Sequence, residues 1–277
     1  MNIKIIILVF QYVVTASAFP PAPHHTLHGI VRDQVGQTLE VEGAELILLK
    51  GGEEVGRTPI TRGPEPDQNY ELRIRIDANR PATQLYNSGA VPANGRYSLV
   101  VKMSEQLFYP IEVSNNLTAG KGGERVRLDL NLGADSDVDG LPDVWEQWQL
   151  FQAGLRPGEE GWDLSLIDRD GDLDGDGESN YSEYIAGTFA GDATERFELH
   201  LKEKTDTAVR LEFFAITSKV YILEHSPDGK TWTRIPFATR EDGEPQSSYR
   251  SPGVGIQSAF CSSPDASARE LYRLTVR

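Results

Sequence analysis

Two short acidic segments carry the residue types and spacing that hold a hard cation. The first spans residues 135–146 and the second spans residues 172–183; we call them loop 1 and loop 2. Each has aspartate at positions 1, 3 and 5, glycine at position 6 and glutamate at position 12. Both therefore fit the twelve-residue pattern of a calcium-binding loop.

The pattern assigns a role to each position. Calcium takes about six to eight oxygen ligands at about 2.3–2.6 Å. Carboxylates at positions 1, 3 and 5 line the inside of the turn, and glycine at position 6 permits a left-handed backbone. Position 7 offers a backbone carbonyl, position 9 a side chain, and position 12 both carboxylate oxygens. The predicted ligands are Asp135, Asp137, Asp139, Leu141, Asp143 and Glu146 in loop 1, and Asp172, Asp174, Asp176, Glu178, Asn180 and Glu183 in loop 2.

Several carboxylates in one short loop repel one another unless a cation lies between them. The spacing therefore predicts two calcium ions. The alternative interpretation is an acidic, solvated connector that fits the pattern by chance. A register that starts at Asp170 is rejected because it ends on Tyr181, which cannot act as a bidentate ligand.

Short elements flank and follow the loops. Alternating apolar residues separated by glycine-containing turns predict strands on both sides, for example over residues 70–76, 97–101, 126–132 and 209–213. The spacing of Val144, Trp148, Phe151 and Leu155 predicts one face of a helix that begins near Pro142. Trp145 and Trp148 are expected to pack in the protein core, with stacking on a sugar as the alternative. A second helix is predicted to end at Gly187.

We therefore expect a mainly β, multi-domain chain: two antiparallel β-sandwich domains joined by a small α-containing calcium-binding loop module. The expected boundaries are residues 26–133 for the N-terminal sandwich, 134–193 for the module and 194–277 for the C-terminal sandwich. Residues 1–18 look like a signal peptide, with Lys4, an apolar stretch and a small-x-small cleavage pattern at residues 16–18.

Composition excludes several function classes. The 277 residues include 42 acids and 27 basic residues, for a net charge of −15. Such a chain repels phosphate backbones, so we expect no nucleic-acid partner. The single cysteine, Cys261, excludes an internal disulfide, and no segment after the signal peptide is predicted to span a membrane.

The two loops resemble the calcium loops of exported bacterial modular proteins, which are described as EF-hand-like, thrombospondin type 3-like or dockerin-like. The resemblance rests on Asp-x-Asp-x-Asp-Gly-Leu-Pro-Asp-x-Trp-Glu in loop 1 and Asp-x-Asp-Gly-Asp-Gly-x-x-Asn-x-x-Glu in loop 2. It covers about 60 residues and implies a calcium-dependent structural or interaction module without a reaction. The N-terminal region more faintly resembles transthyretin-like or carboxypeptidase-regulatory-like sandwiches. The C-terminal region resembles fibronectin type III-like sandwiches.

Two departures from a full EF-hand are visible. A strand rather than a helix is predicted before loop 1, and Pro142 at position 8 lacks the N–H that a paired loop would accept. Without an entering helix there is no helix pair to open, which argues against a calmodulin-type switch.

The sequence contains no catalytic fingerprint, so we expect a non-enzyme. The predicted function is an exported calcium-binding structural or interaction protein, secreted or at the cell surface, with the periplasm as a further location. The alternative is a carbohydrate-binding or adhesion protein whose partner is an extracellular glycan or a cell-surface protein.

Overall fold

The computed structural model describes residues 22–63, 65–77, 87–114, 117–263 and 270–277. The predicted signal peptide, residues 1–18, lies outside these ranges. The described residues are mainly β, with several sheets and two α-helices. The strands before loop 1 are β1 (His25–Gly29), β2 (Val31–Arg32), β3 (Glu45–Lys50), β4 (Glu53–Pro59), β5 (Tyr70–Ile74), β6 (Ile76–Asp77), β7 (Val91–Pro92), β8 (Ser98–Met103), β9 (Gln106–Phe108), β10 (Arg125–Arg127) and β11 (Leu130–Asn131).

Sheets in the N-terminal region are mixed. Strands β4, β3, β8 and β9 form an antiparallel sheet in that order. Strand β1 pairs antiparallel with β5 but parallel with β10, and the pairs β2–β11 and β6–β7 are also parallel. The expectation of purely antiparallel pairing is therefore wrong here. The long connection from β1 and β2 to β10 and β11 lets the chain return to the same end of the sheet, as parallel pairing requires.

The C-terminal region is antiparallel throughout its described strands. These strands are β12 (Leu199–Lys204), β13 (Ala208–Ala215), β14 (Val220–Ser226), β15 (Thr233–Arg234), β16 (Tyr249–Arg250), β17 (Gly255–Ser262) and β18 (Leu271–Val276). One sheet has the order β12-β13-β17, and in the other β14 pairs with β15, β16 and β18. The turn between β14 and β15 forms because the Asp228 side chain accepts hydrogen bonds from the N–H groups of Lys230 and Thr231.

Two α-helices lie between these regions. Helix α1 (Asp143–Gln152) follows Pro142, and α2 (Asn180–Ala186) ends at Gly187, whose φ of 86° is left-handed. Two short 3₁₀ helices cover Ile111–Ser114 and Leu164–Leu166. The predicted starting point of α1 and end of α2 are confirmed.

The apolar face of α1 is not the one predicted. Trp145 is buried, but Trp148 is 44% exposed and contacts Phe189, with ring centroids 5.1 Å apart. Val144 and Phe151 are exposed as well. The helix instead buries the face that carries Trp145, Glu146 and Gln149, because Trp145 packs on Tyr184 and the Gln149 side chain accepts from the Ala190 N–H.

Three separate apolar clusters fill the interior. The first draws on residues between 27 and 132, the second on residues between 141 and 190, and the third on residues between 197 and 276. The central cluster is the smallest and is built around Trp145 and Tyr184, whose rings meet edge to face at 5.3 Å. Within the described ranges, no helix is long and apolar enough to cross a membrane.

Candidate metal centre

The two loops close with the same backbone hydrogen bonds. In loop 1, Asp135 at position 1 accepts from the N–H groups of positions 5 and 6, at 3.2 and 3.1 Å. In loop 2, Asp172 accepts from the same positions, at 3.2 and 2.9 Å. The side chain of position 5 accepts from the N–H of position 7 at 2.7 Å in both loops. The sequence repeat is therefore also a structural repeat.

Position 9 completes each loop from the outside. The side chain of Asp143 accepts from the backbone N–H of Ser136 at 2.7 Å and from its hydroxyl at 2.6 Å. In the same way, Asn180 accepts from the N–H of Leu173 at 3.1 Å. These predicted ligands are thus already used in closing their loops, and reach a cation only with an oxygen's remaining lone pair or through water.

Aspartates at positions 1, 3 and 5 converge in each loop. Carboxylate oxygens of Asp135, Asp137 and Asp139 lie within 4.8 Å of one another, and so do those of the second triplet. The second triplet is Asp172, Asp174 and Asp176. Each triplet is therefore positioned to bind a metal ion.

Position 12 supplies a buried glutamate to each site. Glu146 and Glu183 are 0% and 1% exposed, and none of their four carboxylate oxygens has a hydrogen-bond partner among the described residues. Burying a charged carboxylate without a partner is costly. Both therefore lack a positive charge that a metal ion would supply.

The pKa values of both glutamates also indicate that, in the part of the chain that the structure describes, no positive charge lies beside them. Burial, with added repulsion from Asp137, Asp139, Asp143 and Asp135, raises the pKa of Glu146 to about 9. Burial and the loop 2 acids raise the pKa of Glu183 to about 8. A bound divalent cation would reverse both effects because it favours the ionised form.

The pKa values of the loop aspartates are raised by burial or lowered by hydrogen bonds, depending on the position. Burial raises the pKa of Asp137, Asp139 and Asp174. The pKa of Asp172 is lowered, chiefly by the hydrogen bond it accepts from the Gly177 N–H. Asp172, at position 1 of loop 2, is thus favoured as an ion before any metal binds.

Position 7 differs between the loops. The Leu141 side chain is buried in the central apolar cluster, whereas Glu178 is partly exposed and burial raises the pKa of its carboxyl. Both residues were predicted to act through a backbone carbonyl. Nothing in the side-chain geometry conflicts with that role.

A segment between the loops joins them. The backbone N–H of Arg169 donates to Asp139 at 2.7 Å, and its guanidinium lies 3.6 Å from the centre of the Tyr181 ring. Among the described strands, no β-ladder pairs one loop with the other. This agrees with Pro142 at position 8 of loop 1, which has no N–H to donate to such a ladder. The loops are coupled instead through Asp139 and Arg169.

Two arginines near the loops were missed by the sequence analysis. Arg196 lies 3.2 Å from the Asp176 carboxylate and also donates to the Asp176 carbonyl at 2.8 Å. Arg169 could have been singled out because it is the one basic residue from position 157 to position 195. No local pattern marks Arg196.

Searches of protein-family models, of curated proteins and of solved structures found no match to this chain. Its function must therefore be argued from the site itself.

Proposed function

We propose that this protein binds two calcium ions and that the ions rigidify the junction between two β-sandwich domains. The observation that carries the proposal is the pair of buried glutamates, Glu146 and Glu183, each facing a triplet of aspartates with both oxygens unpaired. The chain would act outside the cytoplasm as a structural or interaction protein rather than as an enzyme.

Calcium suits this donor set better than other common cations. Every predicted ligand is an oxygen, which excludes a preference for softer metals. A glutamate at position 12 can give two oxygens at once, which favours the higher coordination number of calcium over the octahedron of magnesium. Extracellular calcium modules bind with Kd values of about 10⁻⁴–10⁻³ M, so such sites would be filled outside the cell.

The junction proposal is supported by the residue that follows Glu183. The Tyr184 carbonyl accepts from the buried Lys219 ammonium at 3.1 Å, and Lys219 also donates to the Gly36 carbonyl at 2.9 Å. One side chain of the C-terminal region therefore binds both the end of loop 2 and a turn of the N-terminal region. Gly36 has a φ of 78°, and a Cβ there would lie 2.9 Å from the Tyr184 ring.

Tyr184 also reaches a buried polar network of the N-terminal region. Its hydroxyl lies 3.3 Å from the Asn131 side-chain oxygen, and that oxygen also accepts from Arg32 at 3.4 Å. Asn131 in turn donates to Glu112 at 2.7 Å. Ordering of loop 2 by a cation would thus fix a helix that contacts both flanking regions.

A calcium titration of the metal-free full-length chain tests this proposal. We expect calorimetry to detect two calcium ions per chain and the melting temperature to rise with calcium. Calcium at 100 times its Kd stabilises the folded state by about 2.7 kcal/mol per site. Magnesium at equal concentration should give a smaller increase.

The double variant E146Q/E183Q is the matched control, because it keeps the shape of both side chains and removes their charge. Its melting temperature should not respond to calcium. An unchanged melting temperature of the wild-type chain between excess chelator and millimolar calcium would contradict the proposal.

A further inference from the structure

Arginines gather where the N-terminal and C-terminal regions meet, in a chain whose net charge is −15. We call this group the arginine cluster; its members are Arg62, Arg127, Arg234, Arg250 and Arg277. Two carboxylates of the N-terminal region, Glu40 and Asp67, pair with them, and each one contacts arginines of both regions. Asp129 contributes a third negative charge, but it is shared between Arg127 and Arg32. Positive charge therefore remains in excess.

One carboxylate oxygen is the meeting point of three guanidinium groups. The Oδ2 atom of Asp67 lies 3.1 Å from Arg277, 3.3 Å from Arg127 and 3.9 Å from Arg234. The Asp67 side chain is only 16% exposed, so water screens this crowding poorly. The pKa of Arg277 is lowered first by burial and then by the positive charge of Arg127.

Arg234 is the least satisfied member of the cluster. A separation of 3.9 Å is too long for a hydrogen bond, and Arg234 donates none within the described residues. Its side chain is 45% exposed, so it is accessible to a ligand from solvent.

We propose that the arginine cluster binds a compact oxyanion, such as a sulfate, phosphate or carboxylate group. Guanidinium groups bind such anions through paired, charge-assisted hydrogen bonds. A ligand group there would neutralise the excess charge and accept from the free donors of Arg234. The ligand must be compact because the chain as a whole repels an extended polyanion. This proposal does not depend on calcium binding.

Calorimetric titration with sodium sulfate tests the site, at constant calcium and with ionic strength held by sodium chloride. A second titration uses methyl glucoside 6-sulfate, with uncharged methyl glucoside as its reference. Binding of inorganic sulfate alone would identify a free anion as the ligand. Binding of the sulfated sugar alone would identify a group carried on a larger molecule.

Arg234→Gln and Arg273→Gln form a matched pair. Both arginines flank Glu224 on the same sheet and are about half exposed, but Arg273 pairs with Glu224 and lies over Trp232, away from Asp67. We expect R234Q to weaken saturable binding about tenfold, the loss of hydrogen bonds to a charged group, and R273Q to leave it unchanged. Absence of saturable binding to the wild-type chain, or equal loss in both variants, would overturn the proposal.

Discussion

Loops 1 and 2 share their hydrogen bonds but differ in what their following helices contact. In α1, which begins within loop 1, Trp145 packs edge to face on Tyr184, and the Gln149 side chain accepts from the Ala190 N–H at 3.0 Å. These contacts stay inside the central segment. After loop 2, Tyr184 contacts Lys219 of the C-terminal region and Asn131 of the N-terminal region.

The loops also differ in where their acids lie and in backbone strain. Position 9 is an acid in loop 1 (Asp143) and an amide in loop 2 (Asn180). Position 4 is left-handed in both, with φ of 64° at Val138 and 78° at Gly175. Each loop carries five acids, because Glu178 at position 7 of loop 2 makes up for Asp143. The difference that remains is a strained β-branched residue in loop 1 where loop 2 has the permissive glycine.

These differences suggest that the two loops have different roles, which we call the division of labour. If loop 2 binds calcium as proposed, its occupancy would affect both flanking regions, because Tyr184 in its helix contacts Lys219 and Asn131. Loop 1 stabilises loop 2 through Asp139 and Arg169. The following predictions test whether that asymmetry holds.

The largest effect is expected at position 12. Glu183→Gln and Glu146→Gln each remove one buried carboxylate, and each should weaken calcium binding at its own loop by more than the about 10–100-fold typical of outer-shell changes. In saturating calcium, hydrogen exchange should rise at residues 33–38 and 216–219 in E183Q, because the Tyr184 contacts loosen there.

E146Q serves as the internal comparison for E183Q. Its exchange should increase mainly within residues 135–153, where loop 1 and α1 lie. Equal increases at residues 33–38 in the two variants would show that the loops transmit their occupancy alike, and the division of labour would be wrong.

A pH effect is expected from Lys219, which contacts Tyr184 in α2, the helix that follows loop 2. Burial, and then nearby Arg32, lowers the pKa of Lys219 to about 7, although Asp33 opposes the shift. The unfolded chain therefore binds more protons than the folded one from about pH 7 to the ordinary lysine pKa of about 10.4. The free energy of unfolding gains from this group as pH rises through that window and loses it as pH falls.

Lys219→Met should remove that contribution, which amounts to at most about 1.4 kcal/mol per pH unit. Urea unfolding at several pH values in saturating calcium measures it as the difference from wild type. Lys121→Met, at an exposed lysine, is the control and should follow the wild-type pH dependence. A K219M chain with the wild-type slope would show that Lys219 keeps its proton in the folded state.

Sequence alone predicted the two aspartate triplets better than it predicted their surroundings. Loop spacing located the aspartate triplets and the two glutamates because carboxylate position along a tight turn is a local property. Burial of Glu146 could not be read from the sequence, since it depends on which face of α1 packs inward. The apolar spacing of Val144, Trp148 and Phe151 indicated the opposite face. Nor could Lys219 be found, because its contacts with Gly36 and Tyr184 join residues far apart in the chain.

The smallest expected effect concerns position 4. A β-branched residue in the left-handed region costs about 1–2 kcal/mol, so Val138→Gly should raise the free energy of unfolding of the metal-free chain by about 1 kcal/mol, after the entropic cost of glycine. Gly175→Val is the reciprocal variant and should lower the free energy of unfolding by a similar amount. Val138 is 74% exposed and a Cβ at Gly175 meets no atom within 4 Å, so neither variant changes packing. Chemical denaturation in chelator gives both values. If V138G fails to stabilise the metal-free chain while G175V destabilises it, strain at Val138 is not what distinguishes loop 1, and the difference between the loops rests on the contacts of their helices.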